Sequence, residues 1–290
     1  MSDRGEVQHP KTGKDVAARL LGAPSDLGFP AGAERRVALA RWVTSPRNPY
    51  FAKAVVNRVW RHLVGRGVAE PVDDLRVTNP PSNPALLDAL AADFVAGGYD
   101  LRRLVRVIAE SRTYQLSSRP TDTNRDDDRL FSHARLKPLP PQVLADAIAD
   151  AAGVPDDYAG YPPGTRAVEL VDARTPSYAL DVLGRCTREA ACGTRSSGGG
   201  VSQALHLMNG ATVNVKLQGG VIARLLRDRP PDAEIVEELY VRTLSRFPRA
   251  DEQAFWNQQL ASATTADDKR LLVEDLLWAL LNSREFAYNH

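Results

Sequence analysis

Ser202, His206 and Asn209 recur at i, i+4 and i+7, a spacing that places them along one helical face opposite Leu205 and Met208. With Gln203 beside them, the stripe offers an imidazole base, a hydroxyl and two amides, the groups that hold or deprotonate a polar ligand. Gly198-Gly199-Gly200 lies directly before it, where backbone amides at a helix start could meet an anion. That loop lacks the Gly-Lys-Ser/Thr ending of a nucleotide loop, and packing or capping accounts for the stripe as well as chemistry does. Arg166 ends the run Pro162-Pro163-Gly164-Thr165-Arg166, a rigid loop able to aim a guanidinium at a carboxylate or phosphate, although an internal ion pair is the plainer expectation. Arg166, Ser202, Gln203, His206 and Asn209 are therefore the candidate ligand-binding residues.

Asp73-Asp74 reads as a turn or as a carboxylate pair for acid and base work, and Glu169 is a further acid of that kind. The five histidines are scattered, without His-x-x-x-His or His-Glu-x-x-His, so no metal site is expected. Asp126, Asp127 and Asp128 with Asn124 lack the alternation of a calcium loop and are expected to form a solvated helix start. Cys186 and Cys192 stand six apart, as two inert thiols or, in an oxidising compartment, as a bridge closing a small loop. Neither CxxC nor CxxCH occurs, which excludes a thioredoxin-like pair and a c-type haem on this chain; no cofactor is expected.

These residues must be positioned by helices. The chain has 290 residues, 43% hydrophobic and 25% charged, the composition of a soluble globular protein. Its 37 basic and 36 acidic side chains leave a charge of +1, too little field for a nucleic-acid partner. The longest apolar runs fall short of the roughly 20 residues that span a bilayer. Residues 1–32 read as a linker or partial upstream segment, and Met1 to Lys14 lack the apolar stretch of a secretory signal. From 33 to 290, helical periodicity predicts an all-α, multi-helix globular domain. Asn83, Asp100 and Thr265 are expected N-caps, and Gly97-Gly98 and Gly153 expected stops. One helix is expected over Val213 to Arg227. A loop-rich insert at about 155–200 interrupts the pattern, with at most a short strand at Thr165 to Val171. The stretch Trp60 to Arg66 echoes Tyr240 to Arg246, so two similar helical halves are one expectation for the domain.

Several motifs in order resemble the planctomycete domain of unknown function 1553 (PSD type), a C-terminal module of large exported proteins. They are Leu39 to Pro49, Val56-Asn57-Arg58-Val59-Trp60, Asn79 to Pro84, Ser111 to Gln115, Pro163-Gly164-Thr165-Arg166-Ala167, Gln203 to Asn209 and Leu277 to Ser283. The resemblance implies an envelope or extracellular location. It also implies, as partners, upstream domains of the same protein, sometimes cytochrome-c-like or immunoglobulin-like, or a polypeptide encoded beside it. It brings no activity, so no catalytic residue carries over. Where many relatives have a Cys-Glu-Cys-Glu-Arg-like stretch, this chain reads Cys192-Gly193-Thr194-Arg195-Ser196, and any thiol or acidic site shared by those relatives is not carried over here. The expected function is a helical interaction or ligand-binding module of a multidomain envelope or extracellular protein, with the insert and the Val201 helix as its recognition surface. The alternative is a hydrolase acting on extracellular carbohydrate, drawing on Asp73, Asp74 or Glu169.

Overall fold

A computed structural model describes residues 7–16, 19–20, 22–23, 34–186 and 200–289. The chain is all-α and divides into two compact units, Met1–Arg135 and Leu136–His290.

The first unit opens with a two-residue antiparallel pairing of β1 (Val7–Gln8) and β2 (Asp15–Val16), inside the segment expected to be linker. Helix α1 (Arg35–Val43) follows, then α2 (Phe51–Val64), α3 (Pro84–Ala96) and α4 (Leu101–Ala109). The starts are written locally. Asn48 accepts the amides of Tyr50 and Phe51, Asn83 accepts Leu86 N–H, and Asp100 accepts those of Arg102 and Arg103. Val56, Trp60 and Val64 of α2 bury against Leu87, Phe94, Leu104 and Ile108, and Trp60 meets Phe131 edge-on at 5.3 Å.

Asn57, with no exposed surface, clamps the irregular chain that follows α2. Its Nδ2 donates to the carbonyls of Ala69 and Val72, both at 2.8 Å, while its Oδ1 accepts Ala69 N–H at 3.1 Å. Gly67 is required beneath it, because a Cβ there would fall 2.4 Å from the Ala69 carbonyl oxygen. The run at 122–129 is a turn and not the expected helix start: Asp127 accepts the amides of Arg129, Leu130 and Ser132, which closes the chain on itself.

The second unit joins β3 (Lys137–Pro138) to β4 (Tyr288–Asn289) in one short antiparallel pairing. Between them run α5 (Pro141–Ala152), α6 (Tyr178–Val182), α7 (Val201–Asn209), α8 (Ala211–Leu217), α9 (Gly220–Asp228), α10 (Asp232–Leu244), α11 (Ala250–Ala261), α12 (Ala266–Leu281) and α13 (Arg284–Ala287). Leu144 and Ile148 of α5, Ile222 and Leu225 of α9, Leu239 of α10 and Leu276 and Leu277 of α12 form the centre of its core. The single helix expected over Val213 to Arg227 is broken at Gln218-Gly219. Gly220 takes φ +53°, and a Cβ there would lie 2.2 Å from the Ala152 carbonyl, so the end of α5 crosses the start of α9 at backbone contact. No strand forms at Thr165 to Val171. Glu169 accepts Arg166 N–H at 3.0 Å and closes a 3-10 turn over Ala167–Glu169, a local bond that outcompetes weak alternation. Cys186 is disulfide-bonded, while Cys192 lies outside the described residues.

Arg246, just past the left-handed end of α10 at Ser245, joins three elements. It binds Glu252 of α11 and Glu285 of α13 through paired N–H groups, at 2.8 and 3.0 Å and at 2.6 and 3.0 Å, and lies 5.3 Å from the Tyr240 ring centroid.

Two outcomes follow from these clamps. Asn57→Ala strands the Ala69 and Val72 backbone groups inside the first unit, and the expected loss is about 2–4 kcal/mol by urea denaturation; a change under about 0.5 kcal/mol would show the clamp to be dispensable. The Arg246 bonds, with help from Arg249 N–H, pull the Glu252 carboxyl from its ordinary 4.5 down to about 2. Because the folded state holds the lower value, the stabilisation is present above pH 4.5 and fades as pH falls through about 2. Thermal melts of wild type and Glu252→Gln should therefore differ most above pH 5 or so and converge toward acid; a constant gap across that range contradicts the assignment.

Candidate functional site

The polar site of the second unit grows from α5. This helix buries Leu144, Ala145, Ile148, Ala151 and Ala152, yet carries Asp146 and Asp150 at i and i+4. Asp146 is only 6% exposed, and a carboxylate that deep needs strong partners. It finds them in the turn beyond Pro163: Oδ1 accepts Ala167 N–H at 2.6 Å and Oδ2 accepts Val168 N–H at 3.2 Å. Thr165 reinforces that turn by donating its hydroxyl to the Pro162 carbonyl at 2.7 Å. The loop is thus pinned to the helix, and Arg166 reaches back to Asp150 at 2.8 Å, with its Nε 3.6 Å from Asp146.

Two further elements brace this region. Arg242 of α10 donates to the Asp150 carbonyl at 2.9 Å, which ties the end of α5 to α10. Lys216 of α8, buried to 6% exposure, donates to the Val154 carbonyl at 2.6 Å and pairs with Asp156 at 2.9 Å. Asp146, Asp150, Asp156, Thr165, Arg166 and Arg242 line a cleft of about 300 Å³. Burial, with Asp156 and Asp146 close by, pushes the Tyr158 hydroxyl up to about 12, so this phenol stays protonated. The cleft therefore displays charges of both signs, with Arg166 at pairing distance from Asp150, an arrangement able to orient a polar molecule.

Arg166 is the one sequence-derived candidate among the residues that line this cleft. Ser202 and Asn209 are exposed on α7 and Gln203 is partly covered. His206 turns inward instead: it is 5% exposed, meets the Tyr178 ring edge-on at 5.6 Å and has Nε2 3.3 Å from the Thr212 hydroxyl. Burial lowers its basicity, so the imidazole is held neutral. Leu205 and Met208, 55% and 45% exposed, face outward as Ser202 and Asn209 do, so of the three stripe residues His206 is the one taken into the core. The helix end is held by α12, whose Trp278 Nε1 donates to the Met208 carbonyl at 2.9 Å and whose Asn282 Nδ2 donates to that of Leu207 at 3.3 Å. Gly210 permits the corner that follows, since a Cβ there would sit 2.6 Å from His206 Nδ1. Gly198 and Gly199 lie outside the described residues.

The acids singled out for hydrolysis are engaged elsewhere. In the first unit, Asp73 is bound by two N–H groups of Arg58 and Asp74 by two of Arg76, and these bonds hold both carboxyls below the usual range. Glu169 caps the 3-10 turn. Among the described residues, no group of three or more His, Cys, Asp or Glu gathers as a metal set. Asp146, Asp150, Asp156 and Arg242 were not singled out from the sequence. Two acids four apart on an otherwise apolar helix were the available signal for the first pair, whereas Arg242 lies 92 positions from its partner Asp150 and has no local signal.

Replacing the clamp tests this construction. Asp146→Asn puts an amide donor against a backbone N–H, and hydrogen exchange at Ala167 and Val168 should accelerate about tenfold or more, with about 1–3 kcal/mol of stability lost. Unchanged exchange at those two amides would mean that the loop is held by something else.

A family described as PSD1, protein of unknown function (DUF1553), matches residues 35–260, more than half of the chain and parts of both units. No curated protein and no solved structure matches. Among the described residues, no helix is long and apolar enough to cross a membrane. The motifs at Pro163–Ala167, Gln203–Asn209 and Leu277–Ser283 have physical roles as the pinned loop, the inward-turned helix and the helix that caps it, and with residues 35–260 under the family model the chain belongs to the DUF1553 family, whose function is unknown.

Proposed function

We propose that the chain is a ligand-binding module, with the cleft of the second unit as its recognition site and the exposed Ser202 and Asn209 of α7, with the partly covered Gln203, as a further contact surface. The observation that carries this reading is the pinning of the 162–169 loop by buried Asp146, which fixes Arg166 at the cleft without spending its exposed half on packing. A rigid polar wall loses little entropy when it meets a ligand. The cleft charges are paired, Arg166 with Asp146 and Asp150, Asp156 with Lys216 and Arg242 with Glu238, which favours holding a molecule over moving its protons. The disulfide at Cys186 supports placement in an oxidising compartment, as a module of a multidomain envelope or extracellular protein.

A thermal-shift screen of the full chain against millimolar sugars, dicarboxylates, phosphates and amino acids tests the reading. Stabilisation follows mass action, reaching about 2.7 kcal/mol at a hundredfold excess over Kd. The expected result is at least one stabilising compound whose effect disappears in Arg166→Ala; a panel with no hit, or hits indifferent to Arg166, defeats the proposal.

A further inference from the structure

The pairing inside the cleft decides which chemical class fits it. Arg166 gives Nη2 to Asp150 Oδ2, Arg242 gives Nη1 to the Asp150 carbonyl, Lys216 stands on Asp156 Oδ1, and both oxygens of Asp146 take backbone amides. An anion would have to draw Arg166 away from Asp150, or Arg242 from Glu238 and the Asp150 carbonyl, and then lie beside three lining carboxylates. A cation would have to displace Arg166 from Asp150 or the buried Lys216 from Asp156. Each exchange breaks an existing charge pair to make another, and stranding one charge of a covered pair is costly. A neutral ligand breaks none.

What the pairs leave open, among the described residues, is a set of acceptors and donors on residues that line the cleft. Asp150 Oδ1 and Asp156 Oδ2 are the acceptors, and Arg166 Nη1 and Arg242 Nη2 are the donors. A hydroxyl group both donates and accepts, and adjacent hydroxyls on a ring match the forked geometry of a carboxylate or a guanidinium. Ala149 and Pro155 supply apolar wall for the carbon skeleton. A volume of about 300 Å³ is at the small end for ligand pockets and suits one sugar ring or two. Resting on the reading of this cleft as a ligand site, we infer that it takes a neutral polyhydroxylated ligand of monosaccharide to disaccharide size, bound through Asp150, Asp156, Arg166 and Arg242 with every ion pair of the wall left intact.

Isothermal titration of the full chain with the methyl glycosides of glucose, galactose and mannose, against inorganic phosphate, citrate and glycine, decides the matter. Asp150→Asn and Arg242→Gln change exposed groups, and circular dichroism with a thermal melt confirms that each variant folds. At least one glycoside should bind wild type, with an affinity that stays flat from low to high salt because no charge is exchanged. Each variant should weaken it about tenfold, the effect of one lost hydrogen bond. Binding of phosphate, citrate or glycine in place of the glycosides, abolished by the same variants, overturns the neutral class and leaves the cleft a binding site. Glycoside binding that ignores both variants overturns the assignment to this cleft. Silence from all six probes, together with a blank thermal-shift panel, removes both the class and the site.

Discussion

A carboxylate under an apolar helix face persists only where hydrogen bonds offset its lost hydration, and Asp146 meets that condition with two backbone amides from a turn some twenty residues away. The position of Arg166 at the cleft depends on that exchange. The turn is irregular, rich in proline and glycine, and would otherwise leave its amides to water. Once Ala167 and Val168 are satisfied inside, Arg166 projects from a fixed point, Asp150 gains a partner, and the space between them becomes a shaped cleft. The backbone crossing at Gly220 and Ala152 brings α9 onto the end of α5, while Arg242 holds the same end from α10.

The first unit uses the same physics with a neutral side chain. Asn57 has two donors and one acceptor to spend, and it spends them on Ala69 and Val72, in the irregular chain after α2. Arg58, its neighbour, takes Asp73 in the same stretch. The Val56-Asn57-Arg58-Val59-Trp60 motif thus reads as one device: Val56 and Trp60 bury, Asn57 clamps, and Arg58 fastens the outer edge. In both units a single helix-borne polar group organises a loop that hydrophobic burial could not order, because such loops have too few apolar side chains to offset their conformational entropy. Arg246 applies the principle to helix ends, gathering α10, α11 and α13 through two carboxylates.

Where expectation and structure part, a long-range contact decides the difference on two helices and a local side-chain bond decides it in two loops. The Val201 helix has polar residues at i, i+4 and i+7, and by periodicity alone that face could point anywhere. Trp278 and Asn282, about seventy residues on, take its last carbonyls, and His206 lies inward while Ser202, Leu205, Met208 and Asn209 face outward. The helix expected over Val213 to Arg227 fails for a similar reason: two glycines permit a break, and the approach of Ala152 makes use of it. At Thr165 to Val171 weak alternation has no neighbouring strand to pair with, and the nearby Glu169 supplies a 3-10 cap instead.

Local chemistry in the chain determined the all-α class, the helix starts at Asn83, Asp100 and Thr265 and the stops at Gly97 and Gly153, because a cap needs only residues within one turn of each other. It also marked Arg166 as a guanidinium on a stiff loop. Which carboxylates that guanidinium meets, that Arg242 and Asp156 join it, and that His206 is shut away from solvent were decided only by tertiary packing. Those contacts join residues tens of positions apart, and a periodic pattern carries no information about which distant surface will cover a given face.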